Sequence, residues 1–329
     1  MKIVFIGTPD YVVPILQLLH KKFRENNNSE SGVVAVLTQT PKPSGRDKKI
    51  SYSAVDTWAY THKIPIYFNP LDIIKDNVKA DVGVLASYGG LLPKDLITYF
   101  PKGILVIHPS LLPQFRWSSP VPAAIITNTN PTGVSIIKMD DKFDHGPVVT
   151  QFKEDVTKDD TYGSLRDRLF EKSAEVLVQM LPAYLSGKIN PKAQDDSNAS
   201  FAIMIKKDDA FIPPKILSAA LLGKISKTKW PIPFIKVKGA VYNLQPTTYN
   251  LSQFIRAMQP WPIAWTTVKI KGEEKKLKIL SSTQVPLEPK SDDLQPGTYN
   301  LQLNLVQLEG KNPVTWEQFK QGYPKLKLV

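Results

Sequence analysis

The chain has 329 residues, 42 Lys+Arg against 30 Asp+Glu, 42% hydrophobic residues, four histidines and no cysteine. That composition fits a packed protein of about two domains and excludes disulfide scaffolds, thiolate nucleophiles and Cys-based zinc sites. No uninterrupted apolar run approaches the ~18–20 residues that span a bilayer, and because the N-terminus enters an apolar strand-like stretch at once, neither a signal peptide nor an Arg-rich presequence is expected.

The charge is uneven. Residues 201–329 carry 19 Lys+Arg and 9 Asp+Glu, so most of the net charge of +12 lies there. Such an imbalance points to a catalytic body joined to a polyanion-binding part.

In chain order, residues 3–6 form an apolar run that ends in Gly7-Thr8-Pro9-Asp10. Val12, Ile15, Leu16, Leu19 and Phe23 then recur at helical spacing. Asn26-Asn27-Asn28-Ser29 reads as a surface loop. Residues 33–37 and 82–86 are continuous apolar runs, as expected of parallel strands buried on both faces, and residues 104–107, 134–137 and 148–152 read as three further strands. Strands alternating with helical patterns predict an α/β fold with an open, mostly parallel sheet. The first turn lacks GxGxxG, which argues against dinucleotide binding.

Residues 162–185 predict a long helix ended by Gly187. The polar, turn-rich stretch 190–200 predicts a linker that runs on to about residue 210. Beyond it, residues 253–258 predict a short helix stopped at Pro260, and residues 268–270 and 277–279 flank Lys271-Gly272-Glu273-Glu274 as a hairpin. Leu301, Leu303 and Leu305 alternate with Gln302 and Asn304, the pattern of a half-buried strand. The expected layout is a first domain over 1–189, a linker over 190–210 and a smaller C-terminal OB-like β-barrel over 211–329. Trp230, Trp261 and Trp265 are expected in the core of that barrel.

The run at 104–107 leads directly into His108-Pro109-Ser110-Leu111-Leu112-Pro113. A histidine where a parallel strand ends lies at the rim where α/β sheets bind ligands. Pro109 and Pro113 fix φ on either side of a short, stiff loop. On this alone, His108 reads equally as a structural cap or as a catalytic group. The second feature is Asp140-Asp141-Lys142-Phe143-Asp144-His145-Gly146, an acidic turn between two apolar strands. One of its carboxylates can orient His108 and stabilise its protonated form. The competing readings are a solvated turn and a Ca²⁺ loop, and the ligand spacing a Ca²⁺ loop requires is missing.

These motifs carry a resemblance. The chain resembles the methionyl-tRNA formyltransferases over nearly its whole length. The matching segments are Met1 to Asp10, Pro43-Ser44-Gly45-Arg46-Asp47-Lys48-Lys49, Ser87-Tyr88-Gly89 with Leu92-Pro93, His108 to Pro113, and Thr132-Gly133 through Asp144. Phe254-Ile255-Arg256-Ala257 through Trp261-Pro262 and Leu308-Glu309-Gly310-Lys311 match as well.

The resemblance implies transfer of the formyl group of 10-formyltetrahydrofolate to the α-amino group of initiator methionyl-tRNA, with no metal. It implies His108 and Asp144 as the catalytic pair and Ser110, Leu111, Leu112 and Pro113 as folate contacts. It implies Lys42, Arg46, Lys48 and Lys49 as contacts to tRNA phosphates, and a tRNA-binding role for the C-terminal domain. A monomer in the bacterial cytoplasm is expected, or in the mitochondrial matrix for a processed eukaryotic form.

Three departures stand out. Val106 occupies the family's Asn, two residues before the histidine; Trp117 follows Arg116 where the family commonly has Gly; and Phe201-Ala202-Ile203-Met204-Ile205 replaces Tyr-x-Pro-Lys-Ile. They leave open an RNA-binding pseudoenzyme of the same fold. A third reading, a formyltransferase for an amino sugar or another small amine, is opposed by the basic loop and the basic C-terminal part.

Overall fold

A computed structural model describes residues 1–24, 31–44, 47, 49–286 and 299–328. The first elements are β1 (Lys2–Gly7), α1 (Val13–Phe23), β2 (Gly32–Leu37), β3 (Lys42–Ser44), β4 (Lys49–Ser51), α2 (Ala54–Thr61), β5 (Ile66–Tyr67) and α3 (Pro70–Lys75). Next come β6 (Val82–Ala86), α4 (Lys94–Ile97), β7 (Ile104–His108), α5 (Pro120–Ile126), β8 (Thr132–Lys138), β9 (Val148–Glu154) and α6 (Tyr162–Leu185). The chain continues with β10 (Ser200–Ala202), α7 (Pro214–Leu221), β11 (Trp230–Val237), β12 (Ala240–Leu244), α8 (Thr248–Ala257) and β13 (Trp265–Ile270). It closes with β14 (Glu273–Pro286), β15 (Tyr299–Leu308), β16 (Val314–Thr315), α9 (Trp316–Gly322) and β17 (Lys327–Leu328). Among the described residues no helix is long and apolar enough to cross a membrane.

The chain divides into two compact units, one of residues 1–116, 131–155 and 166–199, the other of residues 117–130, 156–165 and 200–329. In the first, seven strands run in the order β5-β2-β1-β6-β7-β8-β9. The pairings from β5 to β7 are parallel, and β8 and β9 are added antiparallel. The expected mostly parallel sheet is therefore present. Every residue of β7 is buried, as are Ile3 to Gly7 of β1, because helices on both faces of a parallel sheet select continuous apolar runs. The strand order reverses beside β1, so the loops after β1, β6 and β7 meet at one rim. There the Thr8 hydroxyl donates to the Tyr88 carbonyl at 2.8 Å.

The segment after α6 leaves this sheet slowly. Gly187 takes φ +74°, as a helix-ending glycine does. Lys192 then exchanges backbone hydrogen bonds with Val148 at 2.7 and 2.8 Å, and Gln194 to Asn198 stay with the first unit.

The second unit holds a three-stranded sheet, β10-β11-β12, and a five-stranded antiparallel sheet, β16-β15-β14-β13-β17. Phe254 and Leu251 of α8 are fully buried, as are Phe234, Leu277 and Ile279. Helix α8 starts at Thr248, five residues before the periodicity predicts, because the Thr247 hydroxyl caps it by accepting from the Asn250 N–H at 3.1 Å. The expected four-residue hairpin loop is shorter. Glu273 and Glu274 pair with Ile270 and Lys269, leaving Lys271 and Gly272 as a two-residue turn at φ +51° and +89°.

The alternation on β15 also breaks. Leu301 and Leu303 are buried, but Leu305 is exposed and Val306 takes its place in the core. Register shifts on either side of Ser281 move the pairing by one residue, and in a period-two strand that exchanges the faces. Of the three tryptophans expected inside, Trp230 is buried against Phe254 and Trp265 packs on Phe211, whereas Trp261 is 48% exposed.

Candidate active site

His108 is the last residue of β7 and lies opposite Ser135 of β8. Its ring is buried. The Nδ1 atom lies 3.5 Å from Asp144 Oδ1, and Nε2 lies 3.0 Å from the Phe115 carbonyl. Carboxylate and carbonyl both accept, so the ring makes both contacts only when each nitrogen carries a hydrogen. Of the three carboxylates of the turn, Asp144, the one the resemblance implies, is the one brought to His108. Asp140 is turned instead to His145, 2.7 Å away, and Asp141 lies 3.9 Å from Lys94.

Asp144 has φ +50°, a left-handed conformation that Asp tolerates better than most residues. The turn doubles back tightly: a Cβ at Gly146 would lie 1.9 Å from the Lys138 carbonyl oxygen, so only glycine fits. Its carbonyls are held from outside. Gln194 donates from Nε2 to the carbonyls of Asp144 and Gly146, each at 2.8 Å. Arg116 in turn donates to Gln194 Oε1 at 3.2 and 2.9 Å and to Asp196 at 2.6 Å. The Arg116 hydrogen bond holds the Asp196 carboxyl below the ordinary range.

The loop after His108 is fixed from behind. The Ser135 hydroxyl donates to the Ser110 carbonyl at 2.7 Å and accepts from the Leu112 N–H at 2.9 Å. Gln151 donates to the Leu112 carbonyl at 2.9 Å, and the Ser110 hydroxyl donates to the Gln114 carbonyl at 2.6 Å. Ser110 and Leu112 are buried, while Leu111 and Pro113 are half-buried at the rim. Val106 is 7% exposed and packs with Leu112 and Ile137.

Trp117 takes φ +81°, a region that glycine enters at no steric cost. Its ring lies 4.8 Å from that of Phe201, so two of the departures pack on each other. At the two ends of the basic segment β3 pairs antiparallel with β4, Lys42 opposite Ser51 and Ser44 opposite Lys49. Lys42 and Lys49 are exposed there, and Arg46 and Lys48 lie outside the described residues.

Ser135, Gln151, Arg116 and Gln194 escaped the sequence reading. Ser135 and Gln151 are polar residues set inside apolar strand patterns, a signal that could have found them. Gln194 sits in a stretch whose polarity looks like that of any linker.

The geometry can be compared with known proteins. A formyl transferase family model matches residues 1–181, and a formyl transferase C-terminal domain model matches residues 243–324. The methionyl-tRNA formyltransferase of Chloroflexus aggregans is 30% identical over 342 residues, an alignment that takes in 98% of this chain and 97% of that one. That of Herpetosiphon aurantiacus is 31% identical over 340 residues, 98% of each chain. Among solved structures, an N-formyltransferase from Helicobacter canadensis in complex with folinic acid and dTDP-3-aminofucose aligns at TM-score 0.61 and 13% identity, over 92% of this chain and 98% of that one. A methionyl-tRNA formyltransferase from Clostridium thermocellum aligns at TM-score 0.52 and 15% identity, over 94% of this chain and 98% of that one. At those identities the structural matches speak for the fold. The sequence matches speak for more: the chain belongs to the methionyl-tRNA formyltransferase family.

Proposed function

We propose that this chain transfers the formyl group of 10-formyltetrahydrofolate to the α-amino group of initiator methionyl-tRNA. The observation that carries the reading is the His108–Asp144 pair, 3.5 Å apart at the end of β7, in a chain that belongs to this family. When bound, the folate supplies an activated one-carbon unit on its N10. The loop suits such a donor: Ser135 and Gln151 hold its backbone from behind, so Ser110, Leu111, Leu112 and Pro113 offer a fixed edge to a flat ring.

The work of the protein's own groups follows from their contacts. The Phe115 carbonyl accepts from His108 Nε2, and the Asp144 carboxylate faces Nδ1 and orients the ring. As an amine attacks the formyl carbon, a His108 hydrogen released from its carbonyl partner stabilises the developing oxygen charge. The bond from that carbon to N10 then breaks, N10 takes a proton from the imidazole, and the proton the amine loses returns to the ring. Val106 contributes no hydrogen bond to that oxygen, so the rate falls about 10²–10³ below that of a site with Asn there. Lys42, Arg46, Lys48 and Lys49 bind tRNA phosphates, aided by the basic C-terminal part, and residues 1–189 and 211–329 divide catalysis and tRNA binding between them. The chain acts as a monomer.

Val106 also favours a second reading, a relative that binds tRNA without turnover. Incubating the purified chain with labelled formyl donor and methionyl-tRNA separates the two. Label recovered on the tRNA supports the transferase; tRNA retention without label supports the binder.

A further inference from the structure

We propose that Gln194, with Arg116 behind it, is a positioning residue that holds Asp144 against His108. The inference rests on the proposed reaction and deepens it. The amide of Gln194 has only one useful orientation. Arg116 offers donors alone, so Oε1 must face Arg116 and Nε2 must face the turn, where it meets the carbonyls of Asp144 and Gly146. Arg116 is itself 5% exposed and anchored by Asp196, which makes the strut stiff rather than a solvated side chain.

One strut therefore sets both neighbours of the catalytic ring. Phe115, whose carbonyl faces His108 Nε2, is bonded directly to Arg116, and Asp144 is reached from Arg116 through Gln194. The strut also opposes the strain of the turn, since Asp144 and Phe115 both sit at positive φ, +50° and +53°. A second tie limits what its loss can do. His145 of the same turn contacts Asp140 at 2.7 Å and Asp196 at 3.4 Å. Without Gln194 the turn loosens but stays attached, and a displacement of well under an ångström is enough to slow a positioned proton donor.

Gln194→Glu tests this. Glutamate keeps an acceptor for Arg116, gaining an ion pair, and removes the donor to both carbonyls. The expected result is a kcat for formyl transfer at least about tenfold lower, with KM for folate and tRNA held within about twofold. The thermal midpoint stays unchanged, and amide hydrogen exchange becomes faster at residues 140–147. An unchanged kcat, or a loss confined to KM, overturns the proposal. Hydrogen exchange reads the strut without any activity: if the native chain proves unable to formylate methionyl-tRNA, faster exchange of the turn in Gln194→Glu still supports the strut, and unchanged exchange overturns it.

Discussion

Val106 and His108 stand two residues apart on β7, so their side chains leave the same face of the strand, 7% and 5% exposed. An isopropyl group is thus set on the approach to the imidazole, among Leu112 and Ile137. Val106→Asn restores a donor on that face and is expected to raise kcat for formyl transfer by at least about tenfold. The same change places an amide among apolar groups, at a cost of about 1–3 kcal/mol in stability. Steady-state formylation and urea melts of one preparation check both halves.

Trp117 at φ +81° allows a test of backbone strain. Replacing Trp117 by either Ala or Gly removes the ring contact with Phe201. Alanine normally outranks glycine in stability, but a Cβ in the left-handed region costs about 1–2 kcal/mol. The order should reverse here, with Trp117→Gly more stable than Trp117→Ala by about 1 kcal/mol in denaturant melts.

His20 gives a pH dependence unrelated to catalysis. Burial, then the charges of Arg24 and His62, push its pKa down, and its ring packs edge-on to Trp58 at 5.5 Å. The unfolded chain therefore takes up a proton near pH 6.5 that the folded chain resists, so stability falls as pH drops through and below about 6.5. Between pH 7.5 and 5.5 the native chain should lose more unfolding free energy than His20→Leu, measured by urea melts at each pH.

Lys42 and Lys49, on β3 and β4, give a fourth expectation. Each phosphate contact removed from duplex RNA or DNA binding lowers the salt slope by roughly one. Lys42→Ala combined with Lys49→Ala should weaken tRNA binding and flatten log K against log salt by about two, without changing the rate of transfer from a saturated complex. Filter binding across a salt series measures it.

All five runs after β1 fall on strands of the seven-stranded sheet; the inner ones were legible because a strand buried on both faces is largely apolar, whereas residues 148–152 lie on the half-exposed edge strand β9. The two-residue β5 and the three-residue β3 and β4 carry too few residues for any period to show. On β15 the alternation read cleanly, yet a bulge, which leaves no mark in a hydrophobic pattern, exchanged Leu305 and Val306. The site divided in the same way. The end of a strand drew attention to His108 and an acidic turn to the carboxylates at 140–144, while the choice of Asp144 among them rested on the family resemblance. Gln194 was hidden, because it reaches Asp144 across 50 positions of the chain through hydrogen bonds no local pattern encodes. Trp117 stood out as a departure, but its left-handed backbone, the reason glycine suits that position, became visible only in three dimensions.

The most direct measurement compares the native chain with His108→Ala and Asp144→Asn in single-turnover formylation, with both substrates saturating. The account predicts a rate at least about 10²-fold lower for each variant, with tRNA and folate still bound. Equal rates in the native chain and either variant would contradict it.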